Sequence, residues 1–266
     1  MSDKLMYALY LLDEVERSAH QRSPLGQISP RARVLVTLIY LVTMLSMPLE
    51  RLSELMLFSI YPIMTAAIGG IRYLGILRRS LIIIPIVALI ALPNIFYQKE
   101  AFFFVGDIII TRGWITFLSI IVRGILSLQA IMVLIATTTI YQICYALQRM
   151  GLPSLLASQI YMTMRYIRLL IEQALAMQRA RTARGFGKKS YPLKMWATFI
   201  VQLLLHAIRR AENIGYAMEA RGFRSQLPAT TLTPKERWRE RDIFYISAWC
   251  LTLILLRILH FAERIF

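Results

Sequence analysis

The sequence predicts an all-α polytopic membrane protein with about five transmembrane helices and two long cytoplasmic helices. Three observations predict it. Of 266 residues, 57% are hydrophobic and only 17% are charged, where an ordinary soluble domain carries about 25% charged. The charge is lopsided, 31 Lys+Arg to 15 Asp+Glu, and gathers in intervals between long apolar runs. One of those intervals has the pattern of two helices rather than a loop. A nucleic-acid binder would share the basic excess but not the apolar runs, so the expected surroundings are a lipid bilayer and no nucleic acid.

The elements follow in order. Residues 1–16 hold Asp3, Asp13, Glu14 and Glu16 and lack the basic-then-apolar layout of a cleavable signal. Leu5, Met6, Leu9, Tyr10 and Leu12 suggest a short helix at the membrane surface. "VLVTLIYLVTMLSM" at 34–47 is the first span, and "PLERLSE" makes a turn. "LMLFSIYPIMTAAIGGI" at 55–71 is the second span, and "RYLGILRR" at 72–79 reads as a short basic break. "LIIIPIVALIALPNIF" at 81–96 is the third. Residues 97–113, with Lys99, Glu100, Asp107 and Arg112, read as a polar connection. The fourth span is "WITFLSIIVRGILSLQAIMVLIATTTIY" at 114–141, and the fifth is "IFYISAWCLTLILLRILHF" at 243–261. The expected organisation is an N-terminal membrane region over 1–141, a cytoplasmic region over 142–242 and a C-terminal span over 243–266.

Orientation follows from the basic intervals. Arg17, Arg22, Arg31 and Arg33 precede the first span, Arg72, Arg78 and Arg79 separate the second and third, and 149–242 holds 17 Lys+Arg to 6 Asp+Glu. With five spans all three fall on one side, the cytoplasm, and the C-terminus emerges outside. Pro62, Pro85 and Pro93 read as kinks within spans. Arg123 is the deeply placed charge; it is expected to face the bundle interior and to have a structural partner rather than a transport role. No Asp or Glu occurs in 55–99 or 108–171, which counts against a proton-coupled carrier and a metal-binding pore.

The cytoplasmic interval carries the most specific feature. "GLP" at 151–153 breaks one helix and starts the next. No Gly or Pro occurs from Ser154 to Ala183, which implies a helix of roughly 30 residues and about 45 Å. Leu155, Ile160, Met164, Ile167, Leu170 and Ile171 form its apolar stripe. Gly185 is expected to stop it in the left-handed conformation. A second long helix starts near Pro192, with Met195, Phe199, Leu203 and Ile208 as its stripe, and Gly222 is expected to stop it in the same way. Both ends repeat one pattern. Ala180-x-x-Ala183-Arg184-Gly185-Phe186 matches Ala217-x-x-Ala220-Arg221-Gly222-Phe223, 37 positions on. Helix capping accounts for Arg-Gly, because a cation near a helix C-terminus gains about 0.3–1 kcal/mol. It does not account for Ala-x-x-Ala and Phe, twice. Small residues one turn apart admit a close surface, and an exposed Arg anchors a carboxylate.

Other chemistry is weakly represented. "GFGKKS" at 185–190 misses the phosphate-loop pattern, with Thr182 at the first Gly position and Lys189 at the Ser/Thr position. His20, His206 and His260 are scattered, and Cys144 and Cys250 have no metal or disulfide spacing. No Ser/His/Asp or paired-carboxylate arrangement is present. No catalytic residue, cofactor-binding residue or metal ligand is therefore expected.

With these residues the chain resembles the transmembrane T component of energy-coupling factor (ECF) transporters, the CbiQ/EcfT family. The paired Ala-Arg-Gly ends carry the resemblance, with "SPLGQISPRARVLVTL" at 23–38, "IATTTIYQICYALQRMGLP" at 135–153 and "MTMRYIRLLIEQ" at 162–173. It covers nearly the whole chain. The family often has Asp before the Pro-Arg of the first stretch, where this chain has Ser29; Ser still suits a helix N-cap.

The resemblance implies a non-catalytic scaffold in the inner membrane of a bacterial or archaeal cell. Two ABC-type ATPase subunits would bind ATP and dock on the long helices. One would sit on Ala183, Arg184 and Gly185, the other on Ala220, Arg221 and Gly222. A separate S component would capture the substrate. The "GLP" connection and the 23–38 stretch look closest to cobalt-type members, so cobalt or nickel is the first substrate expectation and vitamin uptake through a shared T component the second. An ordinary ABC permease would present a single coupling helix between spans. A membrane-embedded transferase would need a carboxylate cluster, and Glu172, Glu212 and Glu219 are scattered.

Overall fold

The computed structural model describes residue 7 and residues 24–48, 52–97, 101–105, 108–185, 193–222 and 238–262. The expected surface helix at 1–16 lies outside these residues, residue 7 excepted. The fold is all-α, as the sequence predicts. The helices are α1 (Pro30–Leu45), α2 (Leu52–Leu57), α3 (Ile60–Ile68), α4 (Tyr73–Ser80), α5 (Ile84–Tyr97), α6 (Arg112–Thr137), α7 (Ile140–Arg149), α8 (Ser154–Arg184), α9 (Leu193–Ala220) and α10 (Glu240–Ala262). A small antiparallel hairpin, β1 (Ala101–Val105) and β2 (Ile108–Thr111), precedes α6. The chain divides into two compact units, one including Cys144–Lys235 and the other Ser18–Ile143 with Glu236–Phe266.

In the second of these, the membrane unit, α1 starts at Ser29, whose hydroxyl accepts the Ala32 N–H at 3.4 Å. The core joins α1, α2, α3, α6 and α10 through Tyr40, Met44, Leu55, Phe58, Tyr61, Leu126 and Trp249, all buried. Tyr40 stacks on Tyr61 with 4.3 Å between ring centroids, and Trp249 meets Tyr61 edge-on at 4.8 Å. Buried aromatic hydroxyls need partners. Tyr61 shares a 2.8 Å hydrogen bond with Thr37, and Tyr40 donates to the Phe58 carbonyl at 3.0 Å.

Three expectations change here. The run at 55–71 is two helices, broken at Phe58-Ser59. Pro62 has no N–H to give the Phe58 carbonyl four residues back, and the Tyr40 hydroxyl reaches that oxygen instead. Pro62 thus stands in the first turn of α3 and marks the break within the apolar stretch Glu54–Ile68. The supposed basic break at 72–79 is helical. α4 continues through a 3-10 turn, Leu81–Ile83, into α5. Pro85 explains that turn: it cannot donate to the Leu81 carbonyl, which accepts the Ile84 N–H. Pro93 does lie inside a helix, α5. The polar connection at 97–113 contains the hairpin.

Two stretches among the described residues, Tyr73–Ile95 and Arg112–Thr137, are long and apolar enough to cross a membrane. Ile82, Ile86, Leu89 and Ile90 stand exposed along the first, as a lipid-facing surface requires. α6 packs closely on α5 at Gly124, where an added Cβ would lie 3.1 Å from a Val87 methyl. Small residues permit such approach within membranes.

The other unit holds the long helices. α8 has 31 residues and α9 has 28, about 46 and 42 Å at 1.5 Å per residue. Gly151, at φ +113°, turns the chain ahead of α8, and Pro153 is its N-cap.

Candidate functional site

The repeated motifs occupy the ends of α8 and α9, and the two ends differ. α8 runs through Arg184, and Gly185 follows at φ −84° with its N–H on the Thr182 carbonyl at 3.2 Å. This is right-handed backbone closed by a three-residue bond. The expected left-handed stop at Gly185 is therefore absent, and the helix end does not require glycine for its conformation. At the second motif α9 stops at Ala220 and Arg221 lies outside the helix. Gly222 stands at φ +70° with its N–H on the Glu219 carbonyl at 2.9 Å, the expected left-handed stop.

Ala183, Arg184, Ala220, Arg221 and Gly222 are all exposed, and Gly185 is half-buried. Each motif thus presents a guanidinium and small residues at the end of a long rigid element. Such a site can hold a carboxylate and admit a closely fitting surface. The apolar stripes also lie largely open. Leu155, Ile160, Met195 and Ile208 are exposed, Met164, Ile167, Leu170, Ile171 and Leu203 are half-buried, and Phe199 is buried.

The first motif borders a groove of about 490 Å³ between the last turns of α8 and the first turns of α9. Arg181 ties the two helices at this point. Its guanidinium donates to the Met195 carbonyl and lies 5.7 Å from the Trp196 ring centroid and 5.8 Å from that of Phe199, a cation–π geometry. Arg184, one turn on, lines the same groove. The sequence singled out the motif but not the groove. The pairing of Arg181 with Trp196 and Phe199, across the 185–192 connection, was its available signal.

In the membrane unit, Arg123 faces the interior as expected. It donates to the carbonyls of Leu45 at 3.2 Å, Met47 at 2.6 Å and Pro48 at 2.9 Å. These oxygens close the C-terminal end of α1, so the charge has a structural partner there. Arg33 makes a second such contact, missed in the sequence, to the Thr137 carbonyl and to the Thr138 hydroxyl at 3.0 Å. It braces α1 against the end of α6. Among the described residues no three His, Cys, Asp or Glu side chains come together where they could hold a metal ion.

Comparison with known proteins gives one family. The profile described as cobalt transport protein, CbiQ, matches residues 21–231. The chain is 32% identical over 109 residues to the energy-coupling factor transporter transmembrane protein EcfT of Exiguobacterium sibiricum, covering 38% of this chain and 41% of that one. It is 28% identical over 173 residues to the EcfT of Limosilactobacillus fermentum, covering 60% and 63%. The match to the EcfT of Thermotoga maritima is 33% identical over 98 residues, 35% of this chain and 36% of that one. The matched segments thus span roughly a third to two thirds of these relatives' lengths. The profile match covers both long helices and the first motif whole, and it reaches past the second. The chain belongs to the CbiQ cobalt transport protein family, the transmembrane T components of energy-coupling factor transporters.

Proposed function

We propose that this chain is the multi-pass coupling subunit of an ECF-type importer in the inner membrane of a bacterial or archaeal cell. It passes ATP-driven motion from two ABC-type ATPase subunits to an S component that captures the substrate. ATP binds to the partner subunits, and this chain is a non-catalytic scaffold with no cofactor of its own. Ala183, Arg184 and Gly185 dock on one ATPase subunit, and Ala220, Arg221 and Gly222 on the other. The observation that carries this reading is the exposure of Arg184 and Arg221 at the ends of two helices of 31 and 28 residues. Helices of that length move as levers, and an exposed Arg at the tip supplies a directional, charge-assisted contact.

Cobalt, or nickel, is the proposed cargo, in keeping with the description of the matching family. The EcfT relatives are named for energy coupling and not for a substrate, and vitamin uptake through a shared T component is the second reading. The test is co-purification of the tagged chain from its native membrane, followed by uptake in vesicles. Two ATPase subunits and a small membrane protein should co-elute, and ATP should drive radiolabelled Co²⁺ into the vesicles. Uptake of a vitamin with no Co²⁺ or Ni²⁺ uptake would replace the first substrate by the second. Elution without ATPase subunits would refute the coupling role.

A further inference from the structure

α4 has one side pinned to the fold and another left open. The buried Gln129 of α6 holds both ends of it. Its Oε1 accepts the Tyr73 hydroxyl at 3.0 Å, and its Nε2 donates to the Ser80 hydroxyl at 3.4 Å. Ile76, between them, packs with Ala66 and Val133. These contacts set the rotation of α4 about its axis. At 100° per residue Arg72, Gly75 and Arg79 fall within about 60° of one another, and all three are exposed. Gly75 has nothing within 4 Å of an added Cβ. An open notch therefore separates the two arginines, which stand about 10 Å apart along the axis. Arg78 is exposed next to Arg79, and Leu74, one turn before it, is 77% exposed. Among the described residues the guanidinium groups of Arg72, Arg78 and Arg79 have no hydrogen-bond, ion-pair or ring partner. No Asp or Glu occurs in 55–99 to offset them.

The depth of these residues suits a lipid headgroup. Leu81–Ile83 and Ile84–Tyr97 together hold 17 residues and no charge, about 25 Å of helix against a hydrocarbon core of about 30 Å. Arg78 and Arg79 stand where that stretch begins. We propose that α4 is a binding site for an anionic phospholipid, with the phosphate over Gly75 between Arg72 and Arg79 and the acyl chains along Leu81, Ile82 and Ile86. A phosphodiester accepts from guanidinium forks in pairs, and glycine lets it approach the backbone closely. Arg78 adds attraction to an anionic membrane surface. A protein carboxylate would match the charge alone. A lipid also matches the exposed apolar surface that continues from the arginines through Leu81, Ile82, Ile86, Leu89 and Ile90. The site does not depend on where ATPase subunits dock. It fastens the start of α5 at the membrane surface.

The test uses the assembled transporter in nanodiscs of equal phosphatidylglycerol and phosphatidylcholine, with one lipid radiolabelled in each of two preparations. Benzoyl-phenylalanine in place of Leu74 should cross-link to phosphatidylglycerol in about tenfold or greater excess over phosphatidylcholine. That excess should fall about fivefold in Arg72→Gln and in Arg79→Gln and approach parity in the double variant. Gly75→Glu, which sets a negative charge in the notch, should abolish it independently. Arg209→Gln with Arg210→Gln, both exposed on α9, removes the same charge as the double variant and should leave the excess unchanged. Inorganic phosphate in excess should not displace the lipid. Equal products from the two lipids in the parent would overturn the proposal. So would an excess that survives the double Gln variant and Gly75→Glu alike. Cross-linking chiefly to the S component or to an ATPase subunit would assign α4 to a protein interface, and displacement by inorganic phosphate would make it a site for a free anion; either result removes the lipid from it.

Discussion

The Asp242 carboxylate accepts the Ser29 N–H at 2.7 Å across 213 positions of sequence. Its other oxygen accepts the Arg239 N–H at 3.0 Å, and the side chain is buried. One carboxylate therefore caps the N-terminus of α10 from within and reaches the N-cap residue of α1. The negative charge near the α1 N-terminus is thus supplied by α10. Arg241 adds a 2.6 Å hydrogen bond to Gln27 alongside. A negative group there is favoured by the unpaired N–H groups and the helix dipole.

Asp242→Ala is expected to destabilise the membrane unit, because it removes the acceptor of two part-buried backbone hydrogen bonds, each typically worth about 0.5–1.5 kcal/mol net. Asp242→Asn, which keeps an acceptor but loses the charge, should cost less. Ser29→Asp in the Asp242→Ala background should restore part of the loss by returning a carboxylate to the α1 N-terminus. Thermal unfolding in detergent reads all three. An Asp242→Ala melting temperature equal to that of the parent would remove the clasp.

Arg123 should behave as a structural cap. Arg123→Ala abandons three carbonyls at the end of α1, and hydrogen bonds from charged donors are worth about 1.5–3 kcal/mol each. The expected result is a large drop in folded yield and melting temperature. Arg123→Lys should be intermediate, since an ammonium cannot reproduce the fork that spans Leu45, Met47 and Pro48. Uptake per folded molecule should stay near the parent value in the Lys variant. A loss of uptake at unchanged stability would instead give Arg123 a part in transport.

The pattern of legibility follows from range. The long helices were readable because no Gly or Pro interrupts Ser154–Ala183 and because Gly222 ends the second. Arg123 was readable as an inward charge because its neighbours are apolar for turns on either side. Its partners were not, for they lie about 75 positions away. The Asp242 clasp was invisible for the same reason. The basic cluster at 72–79 misled because charge was taken as a mark of a loop, whereas Arg78 and Arg79 lie in the last turn of α4, where cations are favourable. The hairpin was within reach: "AFFFV" and "IIIT" flank Gly106-Asp107, a strand–turn–strand composition that the nearby charges obscured.

The two motif glycines should separate by substitution. Gly222 holds φ +70° with nothing within 4 Å of an added Cβ, so Gly222→Ala has no clash and only the left-handed backbone penalty of about 1–2 kcal/mol. Gly185 sits in right-handed backbone, and Gly185→Ala should leave the melting temperature unchanged. If Gly185 serves close approach of an ATPase subunit, its Ala variant should lose retention without losing stability. Equal stability losses at the two sites would contradict the conformational difference between them.

Membrane orientation is checked by labelling. In a chain with Cys144 and Cys250 replaced by Ser, a cysteine at Arg264 should react with an impermeant maleimide from outside intact cells. A cysteine at Lys188 should react only after permeabilisation. The expectation comes from the 17 Lys+Arg in 149–242 and the preference of basic loops for the cytoplasm. The reverse pattern would invert the topology and place both motifs where ATPases cannot reach them.

The two arginines give the decisive comparison. If Arg184 and Arg221 act only as helix-end charges, each Ala replacement should cost about 0.3–1 kcal/mol of stability and leave the complex whole. If each anchors an ATPase subunit, the isolated chain should keep its melting temperature while retention and ATP-driven uptake fall. Truncating one partner of a buried interfacial charge pair typically costs about 2–5 kcal/mol of binding, which is roughly 30-fold to several thousand-fold in affinity. The double Ala variant should be worse than either single one, because each motif holds a different subunit. Lys at either position should rescue only in part, since it keeps the charge but not the two-pronged contact. The single variants should also differ from each other, because Arg184 shares its groove with Met195 and Phe199 while Arg221 stands outside its helix. Normal assembly and transport in the double Ala variant would reduce the repeat to a pair of helix ends.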